Sequence, residues 1–411
     1  MISQVETGKK KFFYGYVIVA LGLFINMVLG GTLYTFSVFF EPLSTEFGWT
    51  RAATSGAFSL YMILHGILYI FTGKMNDKLG PRIVMSLCGL LMGLGYMMMA
   101  LTGEIWHIYL IYGVIIAVGM SGGYVPLTST VTRWFTGNSK RGLMVGISVA
   151  GVGLGTMIFP PLARWLIDSY GWKTSYVVIG IAVLVIIMSA AQFLKRAPEH
   201  MSINSDNTGN IDTQQQGFSL RKAVKTRQFW LITLAYFGFG LILQAIMVHI
   251  VMHVTGLGMS ATTAASMFIV IGGASVCARI SLGSLADRIG NRAIVIGSFI
   301  LILLAVLWLF IAKEMWMFYI FGALFGFGYG GMVASQSPIV ADLFGMRSHG
   351  LILGVIVSVI TFGSGVGPVM AGAIYDASSS YTAAFIVCVV FAVMGIILSL
   401  LLRPVSNGGE S

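Results

Sequence analysis

The sequence predicts an all-α membrane protein: twelve transmembrane helices in two pseudo-symmetric bundles of six. Three observations lead there. Of 411 residues, 57% are hydrophobic and 9% charged, whereas soluble domains carry about 25% charged residues. A water-soluble fold of this length cannot hide so much apolar surface, and a bilayer removes the need to hide it. Apolar runs long enough to span recur in two sets of six. A polar phrase also occurs twice, with Gly73, Asp77, Lys78, Gly80 and Arg82 returning as Gly283, Asp287, Arg288, Gly290 and Arg292, every pair 210 positions apart. A duplicated half with its polar turn in the same place is how many carriers are built, with the binding site between the halves.

The first six spans fall at 13–40, 52–72, 83–102, 106–132, 142–166 and 173–194. The second six fall at 228–254, 262–283, 293–312, 315–341, 349–371 and 381–402. Each reaches the roughly 20 residues that a membrane helix needs. These runs divide the chain into a bundle over 1–194, a linker over 195–227 and a bundle over 228–411. From Ser202 to Gly217 the linker is rich in Ser, Asn, Asp, Gln and Gly, which cannot build a core. The segment Phe218 to Arg227 is read either as a short basic surface helix or as the solvated start of span seven.

The net charge of +10 does not point to nucleic acid, because the charges sit in alternate loops. With both ends on one side, all of the 24 Lys and Arg join that side except Arg51, Arg164, Lys173, Arg279 and Lys313. The positive-inside bias places both termini and the linker in the cytoplasm of a cell membrane, plasma or bacterial inner. The first apolar run follows Lys9, Lys10 and Lys11 with no small-residue cleavage site, so it reads as a retained span. Cys88, Cys277 and Cys388 lie in separate apolar runs without metal-ligand spacing. No metal or cofactor is expected.

Duplication extends beyond the first phrase. Trp134, Phe135 and the stretch Lys140 to Gly146 resemble Leu343, Phe344 and the stretch Ser348 to Gly354, and Pro160 and Asp168 recur as Pro368 and Asp376, 208 positions on. With these motifs in view, the chain resembles the major facilitator superfamily across essentially all twelve spans. The stretch Trp134, Phe135, Lys140 to Gly146, Ala150 and Gly151 is similar to the monocarboxylate transporter signature entering helix five. Tyr14, Gly15 and Tyr16 with Phe39 and Phe40 are similar to the family's first helix, and Arg82 to Met85 to its third. Bacterial oxalate–formate carriers share much of this pattern.

In the duplicated phrase, the glycines permit a tight turn and close helix approach. Asp77, Arg82, Asp287 and Arg292 are expected to gate the cytoplasmic ends, the two aspartates accepting from helix N-terminal amides or Arg side chains.

Arg279 is the one charge deep in a span, eight residues before Asp287. A charge at that depth costs at least about 2.5–3.5 kcal/mol and is kept where it faces protein or water. No acidic residue stands at comparable depth, so the guanidinium, a planar bidentate fork, is the candidate carboxylate ligand. Snorkelling toward the cytoplasmic turn is the alternative. The resemblance implies the same role, since monocarboxylate transporters place an essential Arg here. It also implies an Asp one turn earlier, where this chain has Ser275, and a helix-one Lys, where it has Tyr34.

For proton coupling the candidates are His249 and His253, on one face of helix seven, and His65 in helix two. The resemblance makes helices one, four, seven and ten the cavity lining. This offers Asn26, Tyr34 and Thr35, then Tyr124, His249, and Tyr329, Ser335 and Gln336. Gly119 to Gly123 and Gly326 to Gly331 follow no strand and serve close packing and bending.

Together these features describe a secondary transporter of small monocarboxylates such as lactate or pyruvate, proton-coupled and working by alternating access. The alternative is an oxalate–formate-type anion exchanger. An enzyme would need a convergent acid–base or metal cluster, and the spans hold neither. Asp77→Asn is expected to shift the population toward the cytoplasm-open state, read as increased thiol-probe access from that side.

Overall fold

The computed structural model describes residues 13–135, 141–196, 217–345 and 348–402. Side chains of some helical residues, Asp77 and Asp287 among them, lie outside the described residues. Eleven described helices are long and apolar enough to cross a bilayer. They are α1 (Gly15–Phe47), α2 (Arg51–Leu79), α3 (Pro81–Met98) and α4 (Ile105–Trp134), then Arg141–Phe193, which supplies two crossings. Gly171, at φ 77°, breaks that segment into α5 (141–170) and α6 (172–193). After the linker come α7 (Arg227–Gly256), α8 (Ala261–Ile289), α9 (Asn291–Leu309), α10 (Met315–Phe344), α11 (His349–Ser378) and α12 (Thr382–Leu400). The expected twelve crossings are therefore present. The basic segment after the linker holds one helical turn, Leu220–Ala223, with the Ser219 hydroxyl accepting from the Lys222 amide at 3.4 Å.

One expectation needs correction. The duplicated phrase is largely helical, not a loop. Its residues up to Leu79 and Ile289 are the last turns of α2 and α8, and the reversal falls on Gly80 (φ 86°) and Gly290 (φ 84°). Only glycine takes that backbone freely, which explains why both copies keep it. The polar residues leave the hydrocarbon without leaving the helix, because helical amides stay bonded in the interface.

Glycines also set how closely the helices approach. In α5, a Cβ at Gly151 would lie 2.1 Å from the Leu23 carbonyl oxygen, and one at Gly155 would lie 2.0 Å from that of Met27. In α11, Cβ atoms at Gly363 and Gly367 would lie 2.3 Å from the Phe237 and Leu241 carbonyl oxygens of α7. The same small-xxx-small seam thus joins α1 to α5 and α7 to α11. The remaining contacts follow the repeat as well: α3 packs on α6 and α9 on α12, with Gly93 against Leu184 and Gly395 against Phe299.

Between the two sets, α2 meets α11 and α5 meets α8, again a repeat-related exchange. Along α11, Gly372 touches Arg51 and Ala52, Gly365 touches Ile63, and Thr361 touches Gly66. Contact thus runs from mid-helix to the face opposite the one where α1 begins and α12 ends. We call the latter the terminal face. Gly155→Ala is expected to force α1 and α5 apart and cost about 1–3 kcal/mol, read as a lower melting temperature. Gly146→Ala on the same helix, with nothing within 4 Å of its added Cβ, should leave it unchanged.

Candidate functional site

Between the two sets lies a cavity of about 190 Å³. Its lining from α11 (Val357, Ile360, Thr361) lies on the terminal-face side of the Gly365 and Gly372 contacts, so the cavity sits in the terminal half of the bundle. Leu, Val, Ile and Phe supply nine of the twenty lining residues; the polar lining includes Asn26, Tyr34, His65, Tyr124, Arg279 and Tyr329.

Close packing of α8 on α10 brings the central pair together. Cβ atoms at Gly326 and Gly330 would lie 2.4 and 2.5 Å from the Ile271 and Ser275 carbonyls, so α10 lies directly on the face of α8 that leads to Arg279. Arg279 Nη1 donates to the Val149 carbonyl of α5 at 3.1 Å, and Nη2 donates to the Tyr329 hydroxyl at 3.1 Å. Nε is buried with no acceptor. The ion pairs among the described residues are Arg164 with Asp168 and Lys173 with Glu46, so no described carboxylate neutralises Arg279. Its side chain is half-buried against the cavity, with Cζ 5.3 Å from the Tyr329 ring centroid. It points to the site rather than snorkelling.

Tyr34 of α1 donates its hydroxyl to that of Tyr329 at 3.3 Å. The Tyr329 oxygen thus accepts from both Arg279 and Tyr34, and its own proton remains to be donated. A guanidinium and a phenol, side by side in the cavity lining, thus each keep a donor without an acceptor, and an anion can accept from such groups. Tyr124 stands beside the pair, following the break at Gly122 and Gly123 in α4.

The other expected residues are distributed differently. Asn26 reaches the lining, but its amide donates to the Ser148 carbonyl and hydroxyl at 3.1 and 3.3 Å, which ties α1 to α5. Among the described histidines, only His65 lines the cavity. Its ring stacks on Tyr61 (5.4 Å) and lies 4.3 Å from Tyr69. Neither nitrogen makes a hydrogen bond of normal geometry, although the Met120 main chain lies near. His249 is not in the cavity: it is buried beyond it with both nitrogens bonded, to Tyr381 and to the Pro368 carbonyl, each at 2.9 Å. His253, one turn further out, packs its ring against Phe385 at 5.0 Å.

Arg82 and Arg292 also depart from expectation. Arg82 donates to Gln192 on α6 at 3.0 and 2.6 Å, and Arg292 donates to the Ser399 carbonyl on α12 at 3.2 Å and to that of Leu400. Among the described residues, each clamps neighbouring helices within its own set. The Asp77 and Asp287 side chains lie outside the described residues. Tyr69 and Thr361 line the cavity without having been singled out by the sequence. Tyr69 lies one helical turn from His65, a spacing that could have found it; nothing marks Thr361.

A twelve-helix fold with one cation among the described residues lining a cavity between repeat-related halves suits a membrane carrier. The chain matches the Major Facilitator Superfamily over residues 19–312 and 276–411, and it belongs to that family. It is therefore a multi-pass membrane transporter of the alternating-access kind and not an enzyme. It is 25% identical over 353 residues to the uncharacterized MFS-type transporter YhjX of Escherichia coli, covering 85% of each chain. To monocarboxylate transporter 13 of Rattus norvegicus it is 24% identical over 384 residues, covering 93% of this chain and 87% of that one. Its fold is similar to that of a bacterial homolog of the human lysosomal transporter Spinster, with TM-score 0.74 at 16% identity over 96% and 98% of the two chains.

Tyr329→Phe removes both the acceptor for Arg279 and the free phenolic proton. It should weaken anion binding by about 1–2 kcal/mol, a five- to thirtyfold rise in dissociation constant, in equilibrium binding.

Proposed function

We propose that the protein carries small monocarboxylates of the lactate or pyruvate kind together with a proton, Arg279 binding the carboxylate. The observation that carries this reading is the guanidinium without a described carboxylate partner, in the cavity between the halves, its Nε lacking an acceptor. Burying a cation there is costly, and a monovalent anion relieves the cost. Among the described lining residues Arg279 is the only cation. A dicarboxylate would carry a second negative charge into the same apolar walls, which favours monocarboxylates over an oxalate-type cargo. Similarity to monocarboxylate transporters 11, 12 and 13 over about nine-tenths of the chain supports the same class.

Two halves, residues 1–194 and 228–411, rock about the site while the linker tethers them. Loop charges place the terminal face in the cytoplasm, and the cavity in its half of the bundle then faces inward. The arginine–carboxylate pair is neutral, so the central charge is cancelled for the rocking step. A proton taken up with the substrate drives accumulation in this reading, and the presence of His65 in the cavity lining supports it as the group that exchanges the proton.

Proteoliposome uptake across a panel of mono- and dicarboxylates tests this. Labelled lactate or pyruvate should enter faster under an inward proton gradient and lose that advantage with a protonophore. Arg279→Ala should cut uptake roughly thirtyfold or more, the low end of the about 2–5 kcal/mol lost when one partner of a buried charge pair is truncated. Equal uptake by the variant, or indifference to the gradient, would contradict binding and coupling respectively.

A further inference from the structure

Among the described residues, hydrogen bonds between the halves lie at the central tyrosine–arginine site and at the face opposite the termini. The second group is built on Asp168 and Asp376, the aspartates related by the repeat. Asp376, near the end of α11, accepts from the Arg51 amide through Oδ1 at 2.9 Å and from the Ala52 amide through Oδ2 at 2.7 Å. These are the first amides of α2, in the other half. They have no acceptor within their own helix, and they carry the positive end of its dipole. Thr50 caps the next donor, taking the Ala53 amide at 3.2 Å. A glycine precedes Asp376 by one turn, because a Cβ at Gly372 would lie 2.8 Å from the Ala52 nitrogen and the Arg51 carbonyl.

The side chain of Arg51 extends the junction. Its guanidinium lies 3.5 Å from the Tyr375 ring centroid and donates to the Tyr381 hydroxyl. That phenol, having accepted from Arg51, has its proton left for His249 Nδ1, and His249 Nε2–H donates to the Pro368 carbonyl. One residue of the first half is thereby joined to α7, α11 and the start of α12. At the repeat-related junction, Asp168 near the end of α5 accepts from the Thr262 hydroxyl in the first turn of α8 at 2.7 Å, and its other oxygen pairs with Arg164. Here a single hydroxyl stands where two amides stand at the other junction.

We propose that Asp376 and Asp168 are the gate of this face, and that Asp376, seated on the α2 N-terminus, is its stronger member. Alternating access requires the face to open, and opening separates α2 from α11 and α8 from α5. Both carboxylates must then give up donors belonging to the opposite half. His249 acts in this gate through Tyr381, as a positioning residue for Arg51 and not as a substrate ligand.

Spin labels on cysteines introduced at Gly103 and Lys313, exposed in loops of the two halves on this face, report its opening by pulsed distance measurement. Cys277, the exposed native thiol, is replaced by Ala. Asp376→Ala should raise the ratio of long to short distances about tenfold, Asp376→Asn less, and Thr262→Val, which keeps side-chain volume, by a few-fold. Asp342→Ala, whose bond to Asn291 stays within the second half on the terminal face, should not change it. An unchanged distribution in Thr262→Val and in Asp376→Ala would overturn the proposal. Should Asp376→Ala fail to fold, Asp376→Asn decides: a lengthened population supports the gate and an unchanged one rejects it. None of these outcomes depends on which anion Arg279 binds.

Discussion

A positive charge held between two half-proteins, without a described carboxylate to cancel it, is the constraint around which the rest is arranged. Arg279 spends two of its donors on the Val149 carbonyl and the Tyr329 hydroxyl and leaves Nε unsatisfied. Both acceptors are neutral, so the charge is solvated and not neutralised. In a low-dielectric wall, that difference is what favours an anion in the reading we propose. Tyr34 and Tyr329 add a donor, because their hydroxyls, linked at 3.3 Å, leave one proton without an acceptor beside the guanidinium.

Duplication explains how such a site stays reachable from two sides. The α1–α5 and α7–α11 seams within each half set glycine against carbonyl, are tight, and suit rigid bodies. Those between halves at the far face are carboxylates on helix starts, polar and replaceable by water. Rigid bodies joined by exchangeable bonds can rock, whereas a continuous apolar interface would resist parting. Arg82 and Arg292 fit this division, since each strengthens its own half by binding α6 or α12.

Much of this could be read from residue order. Span number, the repeat, and Gly80 and Gly290 as turns follow from hydropathy and spacing, and Arg279 from the rarity of buried charge; Tyr34, Tyr124 and Tyr329 came from the helices that the family resemblance makes cavity-lining. The histidines were less legible. His249 and His253 share a helix face, but periodicity gives a face and not a depth, and the structure sets both beyond the cavity beside Tyr381. Asn26 was legible as polar and central, but not as already committed to Ser148. The Asp168–Asp376 repetition was visible, yet which helix start each carboxylate covers depends on how the halves dock. The duplicated phrase misled in one respect: charge density suggested a loop, while the residues remain helical up to a single glycine.

The most direct measurement is equilibrium binding of a radiolabelled monocarboxylate to purified protein, wild type against Arg279→Gln, a variant of similar length that keeps hydrogen-bond donors and loses the charge. Saturable binding to the wild type, displaced by unlabelled acid and lost in the variant, is the predicted result. Equal affinity in both would show that the anion is held elsewhere.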